Sequence, residues 1–356
     1  MKTSPLVSII LPTLNSSEFL VERIDSILKQ TYTNWELIVG DSDSTDGTKE
    51  ILSSLSDINP KVSVNQVPLG LYKAWNCCIE KAHGEYVYIA TSDDLMKNNC
   101  LEKMVKALEK NPECDICDSV LELIDESGRE ILKENPQYIP HFWHVNFPRD
   151  VEHIRMAPHD FYSHLGGKTV YTSLTQLLIR RKLFEETGLF PIDFGSSADY
   201  LWGLRASLHA NIIFLPEKLA SWRIHSNQAT SISTADKIDE NFLLMSKMAR
   251  VAINSLENHE VLTEATKIFK LISFKEILLP AKRKRNTIHA LNCSLKALVR
   301  HPLFLFEFSF NFIRLKNICD RKFRMIMAYD FMILRRTKKL KLEKIIVYPR
   351  SSIPEK

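Results

Sequence analysis

The first 230 residues of this chain alternate between short apolar runs and segments whose apolar residues recur with helical spacing. The runs that predict strands are residues 7–11, 35–39, 62–67 and 85–90. Helical spacing predicts a helix that begins near Ser16 or Ser17, and further helices over residues 48–55 and 71–82. Strands that alternate with helices in this way favour an α/β fold with a mixed, mainly parallel sheet flanked by helices.

Two of the predicted strands end in acidic residues. The second strand leads into Asp41, and residues 85–90 lead into the adjacent carboxylates of Asp93 and Asp94. Sheets of this kind bind ligands beyond the carboxyl ends of their strands, so we expect both acidic turns at one ligand-binding edge. A divalent cation on a diphosphate would supply the positive charge that adjacent carboxylates need. The alternative is a solvated turn in which Asp94 caps the next helix.

The sequence lacks the glycine-rich phosphate-binding motifs at the places where they would act. A dinucleotide-binding fold requires Gly-x-Gly-x-x-Gly after its first strand, where residues 12–17 read Pro-Thr-Leu-Asn-Ser-Ser. Residues 167–169 read Gly-Lys-Thr but lack the earlier glycine and the preceding strand of a P-loop. Without such a cradle, a metal ion held by Asp93 and Asp94 is the predicted means of neutralising a diphosphate.

A series of short motifs resembles glycosyltransferase family 2 in order and spacing. Residues 7–15 read Val-Ser-Ile-Ile-Leu-Pro-Thr-Leu-Asn, and residues 38–48 read Ile-Val-Gly-Asp-Ser-Asp-Ser-Thr-Asp-Gly-Thr. The match continues through residues 70–94, 178–190, 198–202 and 216–227. The resemblance implies the GT-A fold for residues 1–230 and an inverting transferase that uses a nucleoside-diphosphate sugar.

The resemblance also implies which residues bind the donor and the metal. Pro12 and Thr13 would line the nucleobase pocket and Asp41 would bind the base. Asp93 and Asp94 correspond to the Asp-x-Asp motif of the family, with Asp94 as the direct ligand of Mn²⁺ or Mg²⁺. The remaining candidates for donor binding are Asn15, Asp43, Lys73 and Asn76. His225, within Arg-x-His, is either a further metal ligand or a buried structural histidine.

The same resemblance implies the reaction. Asp199 falls where the family has its catalytic base, and a carboxylate can take the proton of an attacking acceptor hydroxyl. The implied donor is a UDP-sugar, although Leu14 replaces the aromatic residue that many relatives have beside the base. The implied acceptor is a glycan or a lipid-linked sugar.

Residues 135–171 are rich in histidine, proline and aromatic residues. Their histidines lack the His-x-x-x-His spacing of a helical metal site, so we predict a loop that closes over the substrate. Trp143 and His144 in this segment are candidate acceptor-binding residues, together with Trp202 and Arg223.

The charge of the chain is distributed unevenly. Residues 236–356 contain 25 Lys and Arg against 12 Asp and Glu, whereas the whole chain has a net charge of only +4. Residues 303–313 contain more aromatic side chains than a nucleic-acid-binding arm needs and are too few to span a bilayer. The basic region 231–356 is therefore predicted to be α-helical, and it either lies on an anionic membrane surface or packs as a helical domain. Homo-oligomer formation through it stays open.

The cysteines and the amino terminus favour a cytoplasmic protein. Seven cysteines, an odd number, do not indicate a disulfide framework, and residues 7–11 are too short for a secretion signal. The location is thus predicted to be cytoplasmic, with the inner face of the cell membrane as an alternative.

Two other functions stay open, a nucleotidyltransferase and a non-catalytic relative that binds nucleotide sugars.

Overall fold

The computed structural model describes most of the first 270 residues. The described residues are 4–131, 150–165, 170–171, 173–194, 198–226, 235–270, 296, 299–300, 303 and 345–347. The candidate acceptor residues Trp143 and His144 lie outside these ranges, as do residues 304–313.

One 10-stranded sheet organises the described residues. Its strands are β1 (Val7–Thr13), β2 (Trp35–Asp41), β3 (Val62–Gln66), β4 (Tyr86–Ile89), β5 (Leu95–Met96), β6 (Ile116–Ile124), β7 (His153–Arg155), β8 (Leu177–Arg180), β9 (Ile212–Arg223) and β10 (Ile345–Val347). The order is β10-β7-β9-β6-β8-β4-β1-β2-β3, and β5 pairs with β9. Strands β3, β2, β1 and β4 are parallel neighbours, whereas β8 is antiparallel to β4 and β6. The predicted α/β fold is confirmed. The four predicted strands form one parallel block, and β6 and β9 form a second parallel pair.

Helices cover both faces of the sheet. They are α1 (Ser17–Leu28), α2 (Thr48–Ile58), α3 (Leu71–Glu80), α4 (Cys100–Lys110), α5 (His159–Leu165), α6 (Lys182–Thr187), α7 (Ala198–His209) and α8 (Ala235–Asn254). A 3-10 helix occupies Leu174–Gln176, and residues 259–270 are also helical. Ser16 precedes α1 as predicted, but the carboxylate of Asp46 binds the first helical N–H, that of Ser17, at 3.0 Å.

The alternation of side chains along the central strand produces two cores. Adjacent residues of a strand point to opposite faces of the sheet. Ile9 accordingly packs in the core that includes α1, α2 and α4, and Ile10 packs in the core that includes α3, α6 and α7. Both side chains are fully buried, so each face of β1 is covered by helices.

A third core joins the start of the C-terminal region to the first 230 residues. Met248 and Ala249 of α8, with Ile268 of the helix at 259–270, pack in one cluster with Phe161 of α5 and Leu204 of α7. All five side chains are buried. The described helices after residue 230 are therefore attached to the α/β part by an apolar contact, while the boundary at residue 230 stays a prediction.

Candidate active site

The loops that follow β1, β2 and β4 lie together at the carboxyl edge of the parallel strands. The N–H of Ser42 donates to the carbonyl of Thr13 at 3.0 Å. The hydroxyl of Ser16, beyond the end of β1, donates to the hydroxyl of Ser92, beyond the end of β4, at 3.0 Å. These bonds connect the three strand ends directly, so both acidic turns lie at one edge of the sheet, as the sequence predicts.

Asp41 is the buried carboxylate at this edge of the sheet. Its Oδ1 accepts hydrogen bonds from the hydroxyls of Thr13 at 3.2 Å and Ser44 at 2.5 Å, and its Oδ2 accepts from the Ser44 N–H at 3.1 Å. Asp41 is 5% exposed, and Pro12 beside Thr13 is also buried. Both oxygens of this predicted base-binding residue thus already accept bonds from the protein, which hold β1 and β2 in register.

The rim of the edge is polar and exposed. Asn15 and Asp43 adopt left-handed backbone conformations with φ of 48° and 66°, which Asn and Asp tolerate better than most residues. The side-chain oxygen of Asn15 accepts the Thr45 N–H at 2.8 Å, and Asp43 forms an exposed ion pair with Lys49. Lys73 is exposed in the first turn of α3. These donor-site candidates all lie close to the strand ends in sequence, and Asn15 additionally holds the neighbouring loop.

Asp93 and Asp94 are adjacent but have different surroundings. Asp94 is 1% exposed; its Oδ1 accepts the Arg223 N–H at 3.0 Å, and its Oδ2 accepts the hydroxyl of Thr91. Burial and the nearby charge of Asp93 raise the pKa of Asp94 to about 7. The Asp93 side chain is 27% exposed. Asp93 is therefore the more exposed of the two carboxylates, while the role of Asp94 as the direct metal ligand stays a prediction.

Arg223 holds this acidic turn in place. Its side chain is fully buried, and the guanidinium donates to the carbonyls of Asp93 at 2.8 Å and Glu126 at 2.9 Å and pairs with Glu22 at 2.6 Å. A guanidinium with these partners and no solvent contact cannot bind an acceptor in this arrangement. The acceptor role predicted for Arg223 is replaced by a structural one.

His225 lies next to the accessible carboxylate. Its Nε2 is 3.1 Å from Oδ2 of Asp93, although the two residues are 132 positions apart. The imidazole packs on the ring of Phe19 with 4.9 Å between ring centroids. The two residues of the Arg-x-His sequence thus have different roles. Arg223 holds the acidic turn through buried hydrogen bonds, and His225 contacts its exposed carboxylate.

The two side chains that meet at this point fit a divalent cation whose remaining coordination positions are filled by the substrate. No group of three or more His, Cys, Asp or Glu side chains among the described residues is arranged to hold a metal ion. Asp93 and His225 nevertheless offer an oxygen and a nitrogen at one place. Mg²⁺ in nucleotide enzymes is commonly held by one or two carboxylates together with substrate phosphates, so a two-ligand site is compatible with that use.

Asp199 lies in the first turn of α7 and faces α3. Its Oδ1 accepts the hydroxyl of Tyr72 at 3.1 Å and the N–H of Tyr200 at 2.9 Å. Burial raises the pKa of Asp199 above the usual value for aspartate. Residues 67–70 connect the carboxyl end of β3 to α3, so Tyr72 in the first turn of α3 follows that strand end, and Asp199 is hydrogen-bonded to it.

Two other candidates have structural roles instead. The side-chain amide of Asn76 donates to the carbonyl of Phe190 at 2.8 Å and accepts the Phe190 N–H at 3.0 Å. Trp202 is fully buried against Phe184 and Phe190, with centroid distances of 5.3 Å and 5.0 Å. The acceptor role predicted for Trp202 conflicts with this burial, and Asn76 serves to fix the loop that carries Phe190.

Two residues near the site were not identified from the sequence. Tyr72 contacts Asp199 across 127 positions, a pairing that no local pattern indicates. Arg23 is fully buried in α1, 5.7 Å above the ring of Tyr88. A signal for Arg23 was available, because it is a lone cation on the apolar face that Leu20 and Ile27 define.

Comparison with protein families gives a match to the model of glycosyl transferase family 2 over residues 8–188. A glycosyltransferase of Rickettsia typhi is 31% identical over 266 residues, which cover 73% of this chain and 70% of that protein. The Escherichia coli UDP-Glc:α-D-GlcNAc-diphosphoundecaprenol β-1,3-glucosyltransferase WfgD is 39% identical over 106 residues, or 30% of this chain and 42% of that enzyme.

Comparison with solved structures gives glycosyltransferases of the same fold. Residues 1–349 of Staphylococcus aureus TarS in complex with UDP-GlcNAc match with a TM-score of 0.60 and 18% identity, over 94% of this chain and 91% of that one. The mannosyltransferase PcManGT of Pyrobaculum calidifontis, in complex with GDP-Man and Mn²⁺, matches with a TM-score of 0.58 and 18% identity. The match covers 96% of this chain and 89% of that one. With the family match over half of the sequence, the chain belongs to glycosyltransferase family 2 and is a glycosyltransferase of the GT-A fold.

Proposed function

We propose that this glycosyltransferase moves a sugar from a nucleoside-diphosphate sugar to a hydroxyl of a glycan or lipid-linked acceptor, with inversion at the anomeric carbon. The observation that carries the proposal is the position of Asp199. Its carboxylate has a pKa raised by burial and is bonded to Tyr72 of α3, which follows β3, while Asp93 and His225 meet after β4 and β9. A base is most effective when its pKa lies closer to the working pH, and burial moves Asp199 in that direction.

The reaction is a single displacement. As the acceptor oxygen forms its bond to the anomeric carbon, its proton passes to the carboxylate of Asp199. The bond between the anomeric carbon and the phosphate oxygen breaks, and its electron pair leaves with the nucleoside diphosphate. Attack on the side opposite the leaving group inverts the configuration, and Asp199 then releases its proton to solvent.

Asp93 and His225 would hold a divalent cation, Mn²⁺ or Mg²⁺, at the diphosphate. Such a cation supplies positive charge for the departing phosphate oxygens. Asp94 supports the turn through its bonds to Arg223 and Thr91. Pro12, Thr13 and Asp41 form the floor on which the nucleoside would lie, with Asn15, Asp43 and Lys73 at its rim.

The donor and acceptor classes rest on the relatives. The TarS and PcManGT complexes hold UDP-GlcNAc and GDP-Man, and the E. coli relative uses UDP-Glc with a diphosphoundecaprenol-linked acceptor. A UDP-sugar and a lipid-linked or glycan acceptor in cell-surface polysaccharide synthesis are therefore proposed. We place the reaction in the cytoplasm at the inner face of the cell membrane. Among the described helices, none has the length and apolar character to cross a bilayer.

The donor can be identified by a thermal-shift screen of UDP-glucose, UDP-GlcNAc and GDP-mannose with Mn²⁺, because a ligand of the folded state raises Tm. The donor that binds is then tested for turnover. Release of the nucleoside diphosphate indicates glycosyl transfer, whereas release of pyrophosphate would indicate a nucleotidyltransferase. Absence of turnover with every donor and lipid-linked acceptor would support a non-catalytic relative.

Replacement of the base tests the mechanism. Asp199→Asn should reduce turnover by about 10²–10⁴-fold and leave donor affinity near that of wild type, since only the transition state uses the proton transfer. Asp115→Asn is the matched control, because Asp115 pairs with Lys182 at the opposite edge of the sheet. Turnover by Asp199→Asn equal to that of the control would assign the base to another residue.

A further inference from the structure

A buried phenol contacts the carboxylate of Asp199 from a different element. Tyr72, in the first turn of α3, is 6% exposed, and its hydroxyl donates to Oδ1 of Asp199 at 3.1 Å. One hydroxyl of α3 therefore binds the carboxylate at the amino end of α7.

The ring of Tyr72 is held on two sides. It makes an edge contact with Trp75 at 5.2 Å and a stacked contact with Phe190 at 5.9 Å between centroids. Phe190 is fixed in turn by its two backbone hydrogen bonds to Asn76. Because packed aromatic neighbours leave a ring little rotational freedom, the hydroxyl is presented to Asp199 in one orientation.

The two oxygens of Asp199 are used differently. Oδ1 accepts from the Tyr72 hydroxyl and from the Tyr200 N–H, and this second bond is 2.9 Å long. Two donors on Oδ1 orient the carboxylate so that Oδ2 is the oxygen turned away from them. We propose that Tyr72 is a positioning residue, which fixes Oδ1 of Asp199 and leaves Oδ2 to take the proton of the acceptor hydroxyl. This inference rests on the proposed role of Asp199 as the base.

The charged groups on neighbouring elements have other partners. On α5, Asp160 binds Arg155 and His159, while the His164 ring lies against Tyr171 and Tyr200. On α6 and its flank, Lys182 pairs with Asp115 and Glu185 pairs with Arg181. Among the described residues, Tyr72 is the titratable side chain that hydrogen-bonds to Asp199.

Tyr72 stays protonated in this environment. Burial and the charge of Asp199 raise the pKa of its phenol above the usual value for tyrosine. It therefore acts as a hydrogen-bond donor throughout the neutral range. A donor stabilises the ionised carboxylate more than the protonated one, so the Tyr72 hydroxyl opposes the effect of burial and keeps Asp199 available as a base at neutral pH.

The test is the titration of Asp199 in the full chain, which needs no substrate. With ¹³C-carboxyl-labelled aspartate, the resonance of Asp199 is assigned by its loss in Asp199→Asn and followed against pH. Tyr72→Phe keeps the ring and removes the hydroxyl, so the pKa of Asp199 should rise by about one unit, a tenfold shift of its ionisation. Tyr86→Phe is the control, because it also removes a hydroxyl that donates to a carboxylate, Oε1 of Glu109, at 2.6 Å. It should leave the pKa of Asp199 unchanged.

The activity profile separates this inference from the proposed function. With UDP-glucose or UDP-GlcNAc as donor, Tyr72→Phe should move the acidic limb of the kcat/KM pH profile to higher pH by the same amount. Loss of the fixed carboxylate orientation should also lower kcat at neutral pH about tenfold, with donor KM unchanged. An unshifted Asp199 titration in Tyr72→Phe overturns the positioning role, even where Asp199→Asn abolishes turnover. Full turnover by Asp199→Asn instead overturns the proposed base, whatever the titration gives.

Discussion

Asp93 and Asp94 show how two identical neighbouring residues acquire different chemistry. Asp94 is enclosed by Thr91 and the backbone of Arg223, so its charge is costly and its pKa rises to about 7. Asp93 stays 27% exposed beside His225. Because Asp93 is the more exposed of the two, it is the carboxylate that we propose for the cation.

Removal of the Asp93 charge should abolish the metal-dependent part of nucleotide binding. Asp93→Asn keeps the shape of the side chain, so the affinity for UDP measured by calorimetry in Mn²⁺ should fall at least about tenfold, while the affinity in EDTA should not change. Asp25→Asn, an exposed carboxylate paired with Lys29 on α1, should behave as wild type. Unchanged Mn²⁺-dependent affinity in Asp93→Asn would show that the cation is held elsewhere.

The sequence indicates the candidate reactive and ligand-binding residues of the site better than the residues that hold them in place. Asp41, Asp93 and His225 come to one edge because motifs place them at strand ends, and strand ends meet in a parallel sheet. Trp202 and Arg223 look equally suitable for binding a sugar, yet both are fully buried. Whether a tryptophan faces a core or a cleft depends on the packing of α6 and α7, which no local pattern specifies.

At the scale of elements, a buried charge network joins β6, β7 and α5. Arg155 of β7 donates to Asp160 of α5 at 2.9 Å and to Asp118 of β6 at 2.9 Å, and Gln176 also donates to Asp118 at 2.7 Å. Asp118 interrupts the apolar pattern of β6, which helps to explain why the sequence analysis assigned no strand there. Its burial is tolerated because Arg155, 37 positions away, supplies the opposite charge.

Arg155→Met should destabilise the fold strongly. It leaves Asp118 and Asp160 buried without their cation, and breaking such a pair costs about 3–5 kcal/mol. Arg129→Met is the matched control, because Arg129 forms an exposed ion pair with Asp125 and such pairs contribute about 0–1 kcal/mol. Urea unfolding measures both free energies, and equal values for the two variants would contradict a structural role for the network.

Two buried histidines of β7 and α5 should make stability depend on pH. Burial lowers the pKa of His153 and of His164 to about 4, whereas an unfolded histidine titrates near 6.5. The unfolded chain therefore binds more protons in this window, and stability falls as the pH drops from about 6.5 to about 4. At pH 5 each histidine would account for a loss of about 2 kcal/mol relative to pH 7.

His164→Gln should remove about half of that loss, since it keeps a side chain that can accept the Val170 N–H but cannot titrate. The measurement is the free energy of unfolding in urea at pH 7 and at pH 5. His83→Gln, at an exposed histidine, should retain the full loss. An identical pH dependence in wild type and His164→Gln would mean that His164 titrates normally in the folded state.

At the scale of the whole molecule, the charge is divided between two regions joined by an apolar contact. Residues 236–356 hold 25 Lys and Arg against 12 Asp and Glu. The first described helices of this region bury Met248, Ala249 and Ile268 against α5 and α7. A truncation before residue 235 would expose that apolar face, so a test of the basic region should keep residues 1–270 intact.

The basic region is expected to hold the enzyme at anionic lipid. Its residues 303–313 contain Phe304, Phe306, Phe308, Phe310 and Phe312. Each Lys or Arg near an anionic surface contributes about 1 kcal/mol and is screened by salt, whereas inserted aromatic side chains resist salt. A lipid-linked acceptor, as proposed, would lie at the same surface. The basic region would then bring the edge that carries Asp93 and Asp199 to its substrate.

Sedimentation with vesicles tests this expectation. The full chain should sediment with phosphatidylglycerol vesicles at low salt and less with phosphatidylcholine vesicles, and residues 1–270 should remain in the supernatant with both. Phe308→Asp combined with Phe312→Asp should weaken the salt-resistant binding, while Val299→Asp, at an exposed position, controls for an added charge. If the full chain does not bind anionic vesicles even at low ionic strength, the basic region is instead a packed helical domain or an oligomer contact. Light scattering, which compares the mass of the full chain with that of residues 1–270, separates these two.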